Sequence, residues 1–286
     1  MVTVCYKQRD VTLLNSAWFR TREFDMFKRF FVALLFAGFT LPALAATDYS
    51  DMWYIPAESG WGVNLTQNEN VIFITFFIYG SDNQPKWYVA ITARDANGNF
   101  TGSLFSTVGT YFGLPWNPAD HLPATLVGTA TFAPVNPYQG TLSYTLLDGP
   151  NVNKSIVRET LVAINLGGNY TGGQVGAYSE CTDPALNGSY NDTYTVSVSQ
   201  SNGSATLKFS YDLAGADCTL TGTVEQHGQL YRISSATYAC TGGLTYSTTA
   251  TIEELKATAQ GIEGRIAALL PDTGCHESAR FSAVLF

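Results

Sequence analysis

The feature that most limits how this chain can fold is a run of short segments with period-two hydrophobicity, broken about every ten residues by turn chemistry. The alternation is cleanest between 193 and 212. There Tyr194, Val196 and Val198 oppose Thr193, Thr195 and Ser197, and Ala205, Leu207, Phe209 and Tyr211 oppose Thr206, Lys208, Ser210 and Asp212. Successive side chains of a strand point to opposite faces, so each segment has one buried and one wet face. Further strands are expected at 219–226, 231–239, 245–252, 261–268 and 278–286. Only 252–259 has helix-forming composition, and at most two helical turns are expected there. Upstream, strands are expected at 61–67, 71–79, 86–94, 100–110, 126–133, 140–147 and 154–163. Asn68-Glu69-Asn70, Gly80-Ser81-Asp82-Asn83, Asn97-Gly98 and Asp148-Gly149 separate several of them. Asn-Gly and Asp-Gly reach positive φ cheaply, as tight hairpins require. The expected fold class is therefore all-β: two antiparallel meanders whose natural closed form is an up-and-down barrel of the lipocalin or avidin kind.

The chain divides at Gly167-Gly168-Asn169-Tyr170-Thr171-Gly172-Gly173, four glycines in seven residues. That density suits a linker better than a strand interior, so 167–176 is expected to join a domain at 46–166 to a second at 177–286. Trp53, Trp61, Trp87 and Trp116 precede the seam, whereas Cys181, Cys218, Cys240 and Cys275 follow it. At the other end, Met26 opens an export signal: Lys28 and Arg29, the apolar run 30–41, then Pro42 before Ala43-Leu44-Ala45. The run is too short for a span of roughly 20 residues, so 26–45 reads as a signal peptide cleaved near Ala45. Met26 is then the true start, 1–25 is not translated, and the product is secreted or periplasmic.

Removing 1–45 takes 6 Lys+Arg and 3 Asp+Glu from totals of 15 and 23, leaving 9 and 20 and a net charge of about −11. A chain so acidic lacks the basic footprint of a nucleic-acid partner. The four remaining cysteines allow three pairings. The reading favoured is nested, Cys218–Cys240 across a hairpin turning near Gly228 and Cys181–Cys275 tying a domain's start to its end. Zinc is the rival, but no Cys-x-x-Cys occurs. Disulfides imply an oxidising compartment.

Segment 71–79 does not alternate. Ile72, Ile74, Phe76 and Ile78 share one face and Val71, Phe73, Phe77 and Tyr79 the other. A strand apolar on both faces is expected to be covered on both, by the other domain, a partner or lipid.

The stretch 48–65 carries Trp53-Tyr54-Ile55-Pro56-Ala57-Glu58-Ser59-Gly60-Trp61-Gly62-Val63-Asn64. It resembles the opening of a β-module in exported bacterial proteins of unknown function, with pattern Trp-x-x-Pro-x-Glu-Ser-Gly-Trp-Gly-aliphatic-Asn. Ile72-Phe73-Ile74-Thr75-Phe76-Phe77-Ile78-Tyr79 resembles the aromatic strand that follows, and Gln84-Pro85-Lys86-Trp87 its turn, with Gln84 where glycine is common. The likeness spans about 48–165. Cys218 to Gly222, Gln226 to Gly228, Tyr238 to Cys240 and Gly261 to Arg265 resemble the four-cysteine β-domain that follows the module. The resemblance implies a bacterial, secreted β-protein and brings no catalytic residue.

Chemistry is sparse. Of three histidines, His121 lies in the loop 112–123 beside Asp120, and Ser59 or Ser106 is a conceivable nucleophile, but no Gly-x-Ser-x-Gly elbow occurs. His227 falls in an expected hairpin turn and His276 beside a cysteine. Neither has metal-ligand spacing, and no metal or cofactor is expected. Glu58, between Trp53 and Trp61, is the acid in most suggestive company, although a structural role in the turn before Gly60 explains it too. Glu253-Glu254 reads as a solvated face. Asn-x-Ser/Thr triplets such as Asn64-Leu65-Thr66 reflect turn composition.

The function expected is a non-catalytic exported binding module. It would take a small apolar or aromatic-stacking ligand, or a surface glycan or protein. The candidate contacts are Trp53, Glu58, Trp61, Tyr111, Phe112 and Trp116, and a core role for these aromatics is the competing reading. Two alternatives stand beside it. One is an outer-membrane barrel, suggested by the terminal Phe281-Ser282-Ala283-Val284-Leu285-Phe286 and opposed by the cysteines and polar faces, so membrane insertion is disfavoured. The other is a secreted hydrolase using Asp120 and His121.

Overall fold

The computed structural model describes residues 47–286, which form one compact unit. The export signal, its cleavage near Ala45 and the start at Met26 lie outside the described residues. Among the described residues no helix is long and apolar enough to cross a membrane.

Two closed, eight-stranded antiparallel barrels make up the fold. In the first, Asp51–Ile55 (β1), Glu58–Asn68 (β2), Val71–Tyr79 (β3), Pro85–Arg94 (β4), Phe100–Ser106 (β5), Thr125–Asn136 (β6), Gln139–Leu146 (β7) and Asn151–Arg158 (β8) pair in sequence order. β8 returns to β1 through Trp53 opposite Arg158 and Tyr54 opposite Val157. The interior is filled by Trp53, Ile74, Phe76, Phe100, Leu104 and Phe132, each essentially inaccessible. Trp53 meets Phe132 edge-on at 5.2 Å. The barrel is therefore a packed core and not a ligand chamber.

The second barrel comprises Gly168–Ser179 (β9), Gly188–Ser201 (β10), Ser204–Tyr211 (β11), Ala216–Thr223 (β12), Glu225–His227 (β13), Leu230–Gly242 (β14), Tyr246–Ala257 (β15), Gly261–Leu269 (β16) and His276–Leu285 (β17). Its ring runs β12-β11-β10-β9-β17-β16-β15-β14 and closes by β12 on β14, with β13 appended to β14. Cys218 lies opposite Cys240 across that closing pair, and their sulfurs are 2.01 Å apart. Cys181 and Cys275, 94 residues apart in sequence, have sulfurs at 2.09 Å. Two pairs at disulfide distance suit an oxidising, extracellular environment.

Three local expectations need correction. The glycine-rich segment is no linker: it is β9, paired with β10 on one side and β17 on the other. Its glycines serve close strand approach, since a Cβ on Gly172 would lie 2.0 Å from the Ser282 carbonyl oxygen. Residues 252–257 continue β15 instead of forming a helix; pairing on both edges overrides helix propensity, and the strand kinks at Glu254, φ +53°. Finally, β3 buries only one face. Ile72, Ile74 and Phe76 are inside, while Val71, Phe73, Phe77 and Tyr79 are exposed among the described residues.

The barrels meet through a buried ion pair. Arg158, at the end of β8, points inward and donates from Nη1 to Asp51 Oδ2 at 3.1 Å; both side chains are almost wholly buried. The guanidinium also lies 5.0 Å from the Trp53 ring centroid and donates from Nε to the Pro137 carbonyl at 2.7 Å and from Nη1 to that of Ser50 at 3.3 Å. Asp51 Oδ2 in turn accepts the backbone N–H of Gln229 from the second barrel at 2.9 Å. Gly228 stands at φ +63°, where a Cβ would lie 2.1 Å from that oxygen. Nearby, buried Tyr138 donates to Glu253 Oε2 at 2.7 Å and accepts from Glu254 N at 2.8 Å. Glu253 also pairs with Arg232, and Glu254 with Thr47 and Arg265, so these two acids belong to the junction and not to a free solvated face. Breaking one partner of a buried pair strands the other charge. Asp51→Ala should lower unfolding free energy by about 3–5 kcal/mol, read by urea denaturation; a loss under about 1 kcal/mol, the usual worth of an exposed pair, would contradict this role.

Candidate functional site

Antiparallel pairing brings the ends of β1, β3, β5 and β7 and the starts of β2, β4, β6 and β8 to the end of the first barrel remote from the junction. Residues 152, 154, 156 and 158 of β8 share the inner face, so Lys154 projects into this mouth above Ile156. The Lys154 ammonium bonds Glu58 Oε2 and sits 5.3 Å from the Trp61 ring centroid. Trp61 Nε1 donates to the same Glu58 oxygen at 3.1 Å. The Lys154 hydrogen bond and charge hold the Glu58 carboxyl below its ordinary range. This trio, with Tyr79 and Tyr144, lines a recess of ≈ 170 Å³. Typical small-molecule pockets reach about 300–1,000 Å³, so the recess can seat one group of a ligand but not enclose it.

Around it the surface is apolar. Tyr79, Trp87, Leu126 and Leu147 are exposed at this end, and Phe77 packs edge-on to Trp87 at 5.0 Å. The loop between β5 and β6 adds Tyr111, Phe112 and Trp116, with Phe112 fully exposed. The loop is ordered by its own contacts. Thr110 Oγ1 donates to the Asn117 carbonyl at 2.9 Å and accepts Asn117 N–H at 3.0 Å. Asn117 caps a single 3₁₀ turn, Pro118–Asp120, and Trp116 rests 5.6 Å from the His121 ring.

The candidate residues thus separate into three groups. Glu58 and Trp61 come together, joined by Lys154. Tyr111, Phe112 and Trp116 lie at the same end on the loop but do not line the recess. Trp53 is excluded from ligand contact, because it is fully buried at the opposite, junction end, where its Nε1 donates to the Tyr49 carbonyl at 3.0 Å. Among the described residues no hydrogen bond joins Asp120, His121 and a serine hydroxyl, and no cluster of three or more His, Cys, Asp or Glu side chains is arranged to hold a metal. Lys154 was missed by sequence reasoning. The signal was there: Lys154, Ile156 and Arg158 alternate in a strand, so two cations share the face of a core residue.

Neither protein-family models nor curated proteins match the chain. Among solved structures it is similar to a protein of unknown function of the DUF3598 family from Nostoc punctiforme PCC 73102. The identity is 13%, the match covers 82% of this chain and 93% of that one, and the TM-score is 0.25.

Because Glu58 gains its partner in the folded state, its contribution to stability is present above the unfolded carboxyl pKa and is lost as pH falls through the lower folded value. Carboxyl-detected NMR should show Glu58 titrating below the ordinary 4.5 and moving back up in Lys154→Met. An unchanged titration in that variant would remove Lys154 from the site.

Proposed function

We propose that the protein is an exported, non-catalytic binding module that engages an apolar or aromatic-stacking ligand, or a cell-surface component, across the free end of its first barrel. The observation that carries this reading is the gathering of exposed aromatics there, Tyr79, Trp87, Tyr111, Phe112 and Trp116, around one polar anchor, Glu58–Lys154. Exposed apolar groups clustered in this way mark interaction surfaces, and a loop longer than a hairpin needs is a usual carrier of recognition. Trp and Tyr offer large contact area with few rotors to freeze. The filled interior argues for stacking across the rim instead of enclosure. The disulfide-distance pairs and the resemblance of 48–165 to exported bacterial modules support action outside the cytoplasm.

Tryptophan fluorescence titrated with a glycan panel and with lipid vesicles tests the reading. One class should shift or quench the emission saturably, and Trp116→Ala or Phe112→Ala should weaken that response about tenfold or more, as loss of an aromatic anchor does. No response to either class, or a response untouched by both substitutions, would contradict it.

A further inference from the structure

The second barrel has its own cavity, at the end where β9, β11 and β14 finish and β10, β12, β15 and β17 begin, remote from the first barrel's apolar rim. It measures ≈ 300 Å³, the lower end of the range for small-molecule sites. Tyrosines dominate its walls. Tyr178 and Tyr190 stack at 4.6 Å, Tyr211 donates to Gln174 Oε1 at 3.2 Å, and Tyr238 meets Tyr246 edge-on at 5.8 Å.

Glu277 of β17 faces this cavity and is only 5% exposed. Its Oε1 accepts the Tyr190 hydroxyl, while its Oε2 has no hydrogen-bond partner. Buried carboxylates in native proteins are ordinarily paired. No lysine, arginine or histidine lines the cavity. The other acid there, Asp192, is already committed: it accepts backbone N–H groups from Thr193, Leu213 and Ala214 at 2.7–3.0 Å. Burial accordingly pushes the Glu277 carboxyl above its ordinary range, the state of an acid lacking a counter-charge. Both Cys218–Cys240 and Cys181–Cys275 lie at this end, bracing the walls against collapse.

We propose that this cavity binds a small organic cation carrying N–H groups, a primary or secondary ammonium, with Glu277 as its acceptor and the tyrosine faces around it. An N–H⁺ donor completes the hydrogen bonding of Oε2, and phenol faces attract a desolvated cation. A neutral hydroxyl of equal shape can donate to Oε2 but brings no charge to pair with the carboxyl or to be drawn to the phenol faces, and an anion is opposed by both acids.

Isothermal titration of the full chain at neutral pH with benzylamine, and with benzyl alcohol as the neutral isostere, decides the matter. The amine should bind at least about tenfold more tightly than the alcohol, and Glu277→Gln should remove that preference, a difference of about 1.4 kcal/mol per tenfold. NMR shifts on binding should fall on Tyr178, Tyr190 and Tyr246. If Glu277→Gln does not fold, the amine–alcohol comparison and the NMR map on the unaltered chain still decide. Equal affinity for the two probes, shifts confined to the first barrel, or no binding of benzylamine or of the slimmer propylamine would overturn the proposal. The NMR map separates binding here from binding at the rim of the first barrel, so this site and that one fail or stand separately.

Discussion

A guanidinium buried at the end of β8 is the constraint on which the arrangement of the whole chain depends. Arg158 is surrounded by protein and pays a desolvation penalty of several kcal/mol unless its donors are met. Asp51 and the carbonyls of Ser50 and Pro137 meet them. Asp51 in turn accepts Gln229 N–H from the second barrel, and Gly228 leaves the room that a side chain would take. The charge inside the first barrel is thus stabilised by a network that reaches into the second. Tyr138 adds a parallel link, its hydroxyl serving Glu253 and Glu254 at once.

Docking at one end leaves each barrel with a free end, and the two differ in chemistry. The first ends in exposed aromatics over a filled core, with a shallow recess anchored by Glu58, Lys154 and Trp61. The second ends in a tyrosine-lined cavity with a buried carboxyl, held between two disulfide-distance cysteine pairs. Apolar stacking suits the first surface, and directional, charge-assisted hydrogen bonding the second.

Much of the fold was legible because a barrel strand announces itself by alternation. The pattern at 193–212 maps directly onto β10 and β11, with Tyr194 opposite Tyr211 and Val196 opposite Phe209. What failed were cases where one residue type serves two purposes. Glycines 168, 172, 173 and 176 signal a flexible joint in one context and close strand packing in another, and nothing local distinguishes them. The Glu253-Glu254 pair reads as solvated until Tyr138, more than a hundred residues away, is placed beside it. For the site, Glu58 and Trp61 were visible as a polar group among aromatics. Trp53 belongs to the same motif, yet the strand carries it to the opposite end of the barrel. Lys154 was signalled only by sharing a strand face with Ile156 and Arg158, and Glu277, a single charge in an alternating strand, gives no sign of facing inward until register is known.

If Arg158 and Asp51 couple the two barrels as their shared network implies, residues 47–286 unfold as one cooperative body. Differential scanning calorimetry tests this directly. A single unfolding transition whose calorimetric and van't Hoff enthalpies agree is the predicted result. Two resolved transitions, each with the enthalpy expected of one barrel alone, would show that the junction does not couple them and would contradict the account.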